Sequence, residues 1–155
     1  MKLLIIGGTG FIGRNLKNYF EKKNDFKVYA PTRQELDLFD DNLCFKYIKK
    51  LKPDIVIHAA VDITSVENTL KVFFNIYRAN EYFGHMIQIG SGAEYDKRVY
   101  QPKMTEKLFK NSVPIDTYGL GKFSIANFLE DNKNKKITNL SPFGIGIQFE
   151  LVSLH

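Results

Sequence analysis

Leu3-Leu4-Ile5-Ile6-Gly7-Gly8-Thr9-Gly10-Phe11-Ile12-Gly13 decides the fold. Four apolar residues that suit a strand run into glycines at positions 7, 10 and 13, and an amphipathic segment follows at once. Glycines in this context let the backbone turn tightly, approach a pyrophosphate closely and pack the next helix onto the sheet. The helix amino terminus then faces the phosphates, where its free N–H groups and dipole favour an anion. Gly7, Thr9, Gly10, Phe11, Ile12 and Gly13 are therefore candidate dinucleotide contacts. The motif has weight because of its setting, after an apolar strand and opening a helix.

Working outward, short runs rich in β-branched residues at Leu3 to Ile6, Lys27 to Ala30, Ile55 to Ala60, Met86 to Ile89 and Ile137 to Leu140 read as buried strands. Between them, apolar residues recur three or four apart from Phe11 to Lys22, Asn42 to Leu51, Ser65 to Arg78 and Tyr118 to Asp131, the spacing of amphipathic helices. Strict alternation of strand and helix implies right-handed crossovers and a doubly wound, parallel α/β sheet with its ligand crevice at the carboxyl ends of the strands. A chain of 155 residues, 44% hydrophobic and 14% aromatic, is sized for one such domain over residues 1–155.

Composition removes several alternatives. Nothing approaches the roughly 18 to 20 continuous apolar residues of a membrane span, and the opening apolar run meets glycines rather than a cleavage site, so a soluble, untargeted, cytoplasmic protein is expected. Cys44 is the one cysteine and cannot form an internal disulfide. His58, His85 and His155 share no metal-ligand spacing with cysteines or carboxylates, so no metal is expected. The net charge of +5 is spread over scattered lysines without a basic stripe, so no nucleic-acid partner is expected.

The second strand ends in Val28-Tyr29-Ala30 and is followed by Pro31-Thr32-Arg33, with no carboxylate before Glu35. In this fold an acidic residue at that place binds the adenosine ribose hydroxyls, whereas an arginine accommodates a 2′-phosphate. Arg33 thus favours NADP over NAD, against the plainer reading of a solvated loop residue, which also applies to Arg14.

Tyr118-Gly119-Leu120-Gly121-Lys122 sets a tyrosine and a lysine four apart, one turn along one helix face, where the ammonium favours the phenolate needed for proton transfer. Tyr19 and Lys23 have the same spacing, so the spacing alone does not choose between them. His58, inside an apolar strand, reads as a packed core histidine. Glu94 stays open as a substrate-side acid or base, and Asn75 reads as a buried polar group.

GGTGFIG, the strand-end Ser91 in IGSGAEY and Tyr-x-x-x-Lys at 118–122, in that order, resemble the extended short-chain dehydrogenase/reductase family of nucleotide-sugar epimerases, dehydratases and reductases. The resemblance implies a Rossmann-type fold, NAD(P) and a nucleotide-sugar substrate. It selects Tyr118 over Tyr19 and gives Tyr118 the proton exchange, Lys122 the nicotinamide ribose and Ser91 a hydrogen bond to the reacting oxygen. It also implies that Asp37 and Leu38, in DLFD, face the cofactor and that Ala59 and Ala60 form a backbone wall beside it. Where that family continues as N-L-R-x-F-G, this chain has Asn139-Leu140-Ser141-Pro142-Phe143-Gly144 and then ends at His155. The expectation is a truncated chain whose substrate-binding carboxy-terminal part is largely absent, with the choice between monomer and homodimer open.

Overall fold

The computed structural model describes residues 1–100 and 106–142. Five strands, β1 (Lys2–Ile6), β2 (Lys27–Tyr29), β3 (Ile55–His58), β4 (His85–Ile89) and β5 (Ile137–Leu140), form one parallel sheet in the order β2-β1-β3-β4-β5. Helices α1 (Phe11–Phe20), α2 (Asp41–Leu51), α3 (Val66–Tyr77) and α4 (Thr117–Asn132) provide crossovers. The chain adds β2 on one side of β1 and then returns to place β3 on the other. That reversal leaves a crevice at the carboxyl ends of β1 and β3, where this class of sheet binds its ligands.

α2, α3 and α4 cover one face of the sheet and α1 covers the other over β1 and β3, which is why those strands read as continuous apolar runs rather than alternating ones; at β5 the second face is open, with Leu140 53% exposed. Leu4, Ile6, Val56 and Met86 pack on one face with Ile48 of α2, Phe73 and Ile76 of α3 and Ile125 of α4. Leu3, Ile5, Ile57 and Ile89 point the other way and meet Ile12, Leu16 and Phe20 of α1. Each fully buried side chain of this size contributes roughly 1.5–3 kcal/mol relative to exposure. Strand register lines up Leu4, Val56, Met86 and Ile137 across the sheet, and the next row toward the carboxyl edge is Ile6, His58, Gln88 and Asn139. The core therefore turns polar where the crevice begins.

Helix starts follow their capping chemistry: side chains of Asp40, Ser65 and Asp116 accept from Leu43, Asn68 and Gly119 N–H at the beginnings of α2, α3 and α4. The expected strand Ile55 to Ala60 stops at His58. Ala59 N–H donates to Ile6 O at 2.9 Å, after which the chain leaves the sheet and Ala60 comes against Gly7. Among the described residues no helix is long and apolar enough to cross a membrane.

Candidate active site

The glycine loop is built by two close approaches. Gly7 adopts φ +83°, a left-handed conformation that favours glycine, and a Cβ there would lie 2.8 Å from Ala60 N. A Cβ on Gly13 would lie 2.2 Å from Gly7 O, so α1 can sit beneath the loop only with glycine at its third residue. Alone among the four α-helices described, α1 begins without a side-chain cap, at Gly10, and its first turn carries no acidic residue. Its leading N–H groups are thus left for an external anion.

In front of this loop lies a cavity of about 770 Å³. Gly7, Thr9, Gly10, Phe11 and Ile12 line one side of it, Arg33, Asp37 and Leu38 another, and Ala59 and Ala60 the floor beyond β3. Gly13 does not line it among the described residues, because its place is under the loop. Nothing acidic follows β2 directly: the Glu35 carboxylate accepts from Thr32 N at 2.8 Å and Thr32 Oγ1 at 3.0 Å, bonds that hold its pKa below the usual range. Asp37 accepts from Phe39 N at 3.0 Å, and Leu38 O accepts from the side chain of buried Asn75 at 2.8 Å. Asn75 is thus a fastener between α3 and the cavity wall, a role its place in the sequence does not announce.

The second cluster forms where β4 ends. Ser91 Oγ accepts from Ala93 N at 3.1 Å and Ser91 N donates to Glu94 at 2.9 Å, a reciprocal cap that turns the chain at 92–94. The helix carrying Tyr118 packs directly on that turn: a Cβ on Gly119 would lie 2.7 Å from Ala93 O. Glycine at 119 therefore brings the Tyr118 and Ser91 segments together. One turn along, Lys122 is 3% exposed and its ammonium donates to Ile89 O at 2.6 Å. Burial lowers its pKa to about 8, partly opposed by the charge of Glu94. Tyr118, Lys122 and Ser91 do not line the 770 Å³ cavity among the described residues.

Glu94 is 2% exposed and fully engaged, accepting from Ser91 N, from Ser141 Oγ at 2.6 Å and from Asn139 Nδ2 at 3.2 Å. Burial raises its pKa against those hydrogen bonds. It ties the Ser91 turn to the end of β5. Ser141, standing where the related pattern has arginine, is one of its donors; Phe143, Gly144 and His155 lie outside the described residues. His58 is 1% exposed and edge-on to Phe73, and burial pushes its pKa down to about 3, so the imidazole is neutral. Tyr19 lies in the last turn of α1 and Lys23 three residues past the helix end, the ammonium 5.0 Å over the exposed ring. They share the spacing of Tyr118 and Lys122 without the surroundings.

One buried cluster beyond these was not expected. Asp96, 3% exposed, accepts from Arg98 and from Ser112 Oγ, and Arg98 also reaches Val113 O at 3.3 Å. It pins the loop after Ser91 to the approach of α4.

The sequence model of the NAD dependent epimerase/dehydratase family matches residues 3–145. The chain is 37% identical over 75 residues to a GDP-6-deoxy-D-talose 4-dehydrogenase of Aggregatibacter actinomycetemcomitans, covering 48% of this chain and 25% of that protein. It is 42% identical over 59 residues to a GDP-L-fucose synthase of Azorhizobium caulinodans, covering 38% and 19%. The fold matches a GDP-D-glycero-L-gluco-heptose synthase of Campylobacter jejuni, solved in the presence of NADPH, with a TM-score of 0.78 at 22% identity over 92% of this chain and 46% of that one. The chain spans about half the length of that solved relative.

Proposed function

Because the chain belongs to the NAD dependent epimerase/dehydratase family, we propose that it is the dinucleotide-binding part of an oxidoreductase that acts on nucleotide sugars and prefers NADP to NAD. The observation that carries this reading is the cavity at the β1–β3 reversal, walled by a glycine loop, an uncapped helix start and Arg33. These residues fit a pyrophosphate and a 2′-phosphate: the loop admits close approach, the bare helix start offers N–H donors, and Arg33 carries a permanent charge with no acidic partner within 4.0 Å among the described residues. The bound nicotinamide would supply or accept the hydride.

The remaining chemistry belongs to the chain. Tyr118 would exchange a proton with the sugar oxygen, assisted by the neighbouring ammonium of Lys122. The Ser91 oxygen already accepts from Ala93 N, which leaves its hydrogen to donate to that same oxygen. The two curated relatives both bear the names of enzymes of GDP-sugars, which supports a sugar nucleotide as the substrate class. A second reading, a dinucleotide-binding module without turnover, is favoured by the engagement of Lys122 with Ile89 O.

Fluorescence titration with NADPH and NADH tests the first step. NADPH is expected to bind the more tightly, and Arg33→Met is expected to weaken NADPH by about tenfold or more, with little effect on NADH. Equal losses for both dinucleotides would remove Arg33 from the 2′-phosphate. Turnover of a GDP-sugar supports the enzyme; tight NADPH binding without turnover supports the module.

A further inference from the structure

The reading of Arg33 leaves one cation of α3 unexplained. Lys71 Nζ lies 5.9 Å from the centroid of the Phe39 ring, and Arg33 Cζ lies 5.9 Å from the same centroid. Phe39 and Arg33 line the cavity, and Lys71, which does not line it among the described residues, meets its wall through the Phe39 ring. Two cations delivered by separate elements, the loop after β2 and helix α3, thus converge on one aromatic ring at the cavity wall.

Their spacing is set by fixed contacts. Lys71 and Asn75 of α3 and its C-cap residue Arg78 form one stripe, separated by four and three residues. Asn75 donates to Leu38 O at 2.8 Å, and Arg78 pairs with Asp41. These two bonds clamp the stripe onto residues 38–41 and put Lys71, one turn earlier, over Phe39. Glu67 stands four residues before Lys71, the favourable order for a helical ion pair. Lys71 forms none: no carboxylate lies within 4.0 Å of it among the described residues. Arg33 is likewise without one. Two unneutralised cations flanking one wall of a dinucleotide-sized cavity suit a ligand group with more than one negative charge, which a phosphate monoester carries near neutral pH and a ribose hydroxyl does not.

We propose that Lys71 is a second specificity residue for the 2′-phosphate of the dinucleotide, sharing with Arg33 the discrimination of NADPH from NADH. This rests on the dinucleotide reading above. The two cations act differently. Arg33 presents a planar fork to the phosphate oxygens, whereas Lys71 adds a point charge on a flexible stem. Removing Lys71 should therefore weaken NADPH without changing how NADH is held.

The test is calorimetric titration of wild type, Lys71→Gln, Lys71→Arg and Lys50→Gln with NADPH, NADH, 2′,5′-ADP and 5′-AMP at low and physiological salt. Lys50 lies in the last turn of α2, at the opposite edge of the sheet, and controls for net charge. Lys71→Gln is expected to lose on the order of tenfold for NADPH and 2′,5′-ADP, with NADH and 5′-AMP within about twofold of wild type. Lys71→Arg should keep the preference, Lys50→Gln should match wild type, and the loss should shrink as salt rises. A Lys71→Gln protein that keeps the wild-type NADPH affinity, or loses NADPH and NADH alike, overturns the assignment. A folded wild type that binds none of the four ligands overturns the dinucleotide reading together with it.

Discussion

Lys122→Met is expected to raise the melting temperature at pH 7 while removing the proton transfer proposed for Tyr118. The ammonium is 3% exposed and keeps one hydrogen bond, to Ile89 O at 2.6 Å. Burial lowers its pKa from 10.5 to about 8. A base whose pKa falls on folding opposes the fold in its charged form. That penalty is complete below about pH 8, shrinks as the pH climbs from about 8 to 10.5, and is gone above. At about 1.4 kcal/mol per pH unit it amounts to about 3 kcal/mol. Losing the bond to Ile89 O offsets about 1 kcal/mol of the gain. That carbonyl still accepts from Gln88 Nε2 at 3.0 Å, and Glu94 keeps its three hydrogen bonds, so neither is stranded. Methionine fills a similar volume. The net gain of about 2 kcal/mol corresponds to about 4–8 °C in a chain of this size. Thermal melts of both proteins from pH 7 to pH 10 check the claim, and the difference should narrow with rising pH. A variant that melts below wild type at pH 7 would mean that the ammonium stabilises this site.

Such a penalty fits the role proposed for Lys122, and the sequence marks the position only through context. Tyr19 with Lys23 and Tyr118 with Lys122 are indistinguishable as spacings. One lies on the exposed end of α1, and the other starts a helix pressed against the Ser91 turn by Gly119. The difference is tertiary, made by a contact between residues 93 and 119 that no local pattern encodes. The strands and helices were legible because they are local: short apolar runs rich in β-branched residues, and three- and four-residue periodicity. The glycine loop was legible through the approach that joins neighbours, Gly13 to Gly7, whereas the approach of Gly7 to Ala60 joins distant residues. What stayed hidden joins distant residues. Asn75 reaches Leu38, Glu94 reaches Ser141, and Lys71 meets Phe39. Glu94 did carry one local sign, the Ser-x-x-Glu of a reciprocal cap at 91–94, which argues for a fastener rather than a catalytic acid.

Gly13→Ala and Gly10→Asp are expected to damage the same loop by different routes. At Gly13 an added methyl would sit 2.2 Å from Gly7 O, 2.7 Å from Gly7 C and 2.9 Å from Gly8 Cα, all of them backbone. No side chain can swing aside, so α1 must lift off β1 and uncover the Leu3, Ile5, Ile12 and Leu16 cluster. Overpacking of this kind costs about 3 kcal/mol or more, a large part of the stability of a small domain. At Gly10 the nearest atom to an added Cβ is Gly7 O at 3.4 Å, and the residue is exposed. Gly10→Asp should therefore fold, while its carboxylate occupies the uncapped helix start and repels the pyrophosphate proposed to bind there. Urea unfolding separates the two cases. Gly13→Ala should shift its midpoint sharply or fail to accumulate, and Gly10→Asp should stay near wild type while losing about a hundredfold or more in NADPH affinity. A Gly13→Ala protein as stable as wild type would show that α1 can move off the loop at little cost. Undiminished NADPH binding by Gly10→Asp would place the dinucleotide away from this helix start, and the proposed function would lose the observation that carries it.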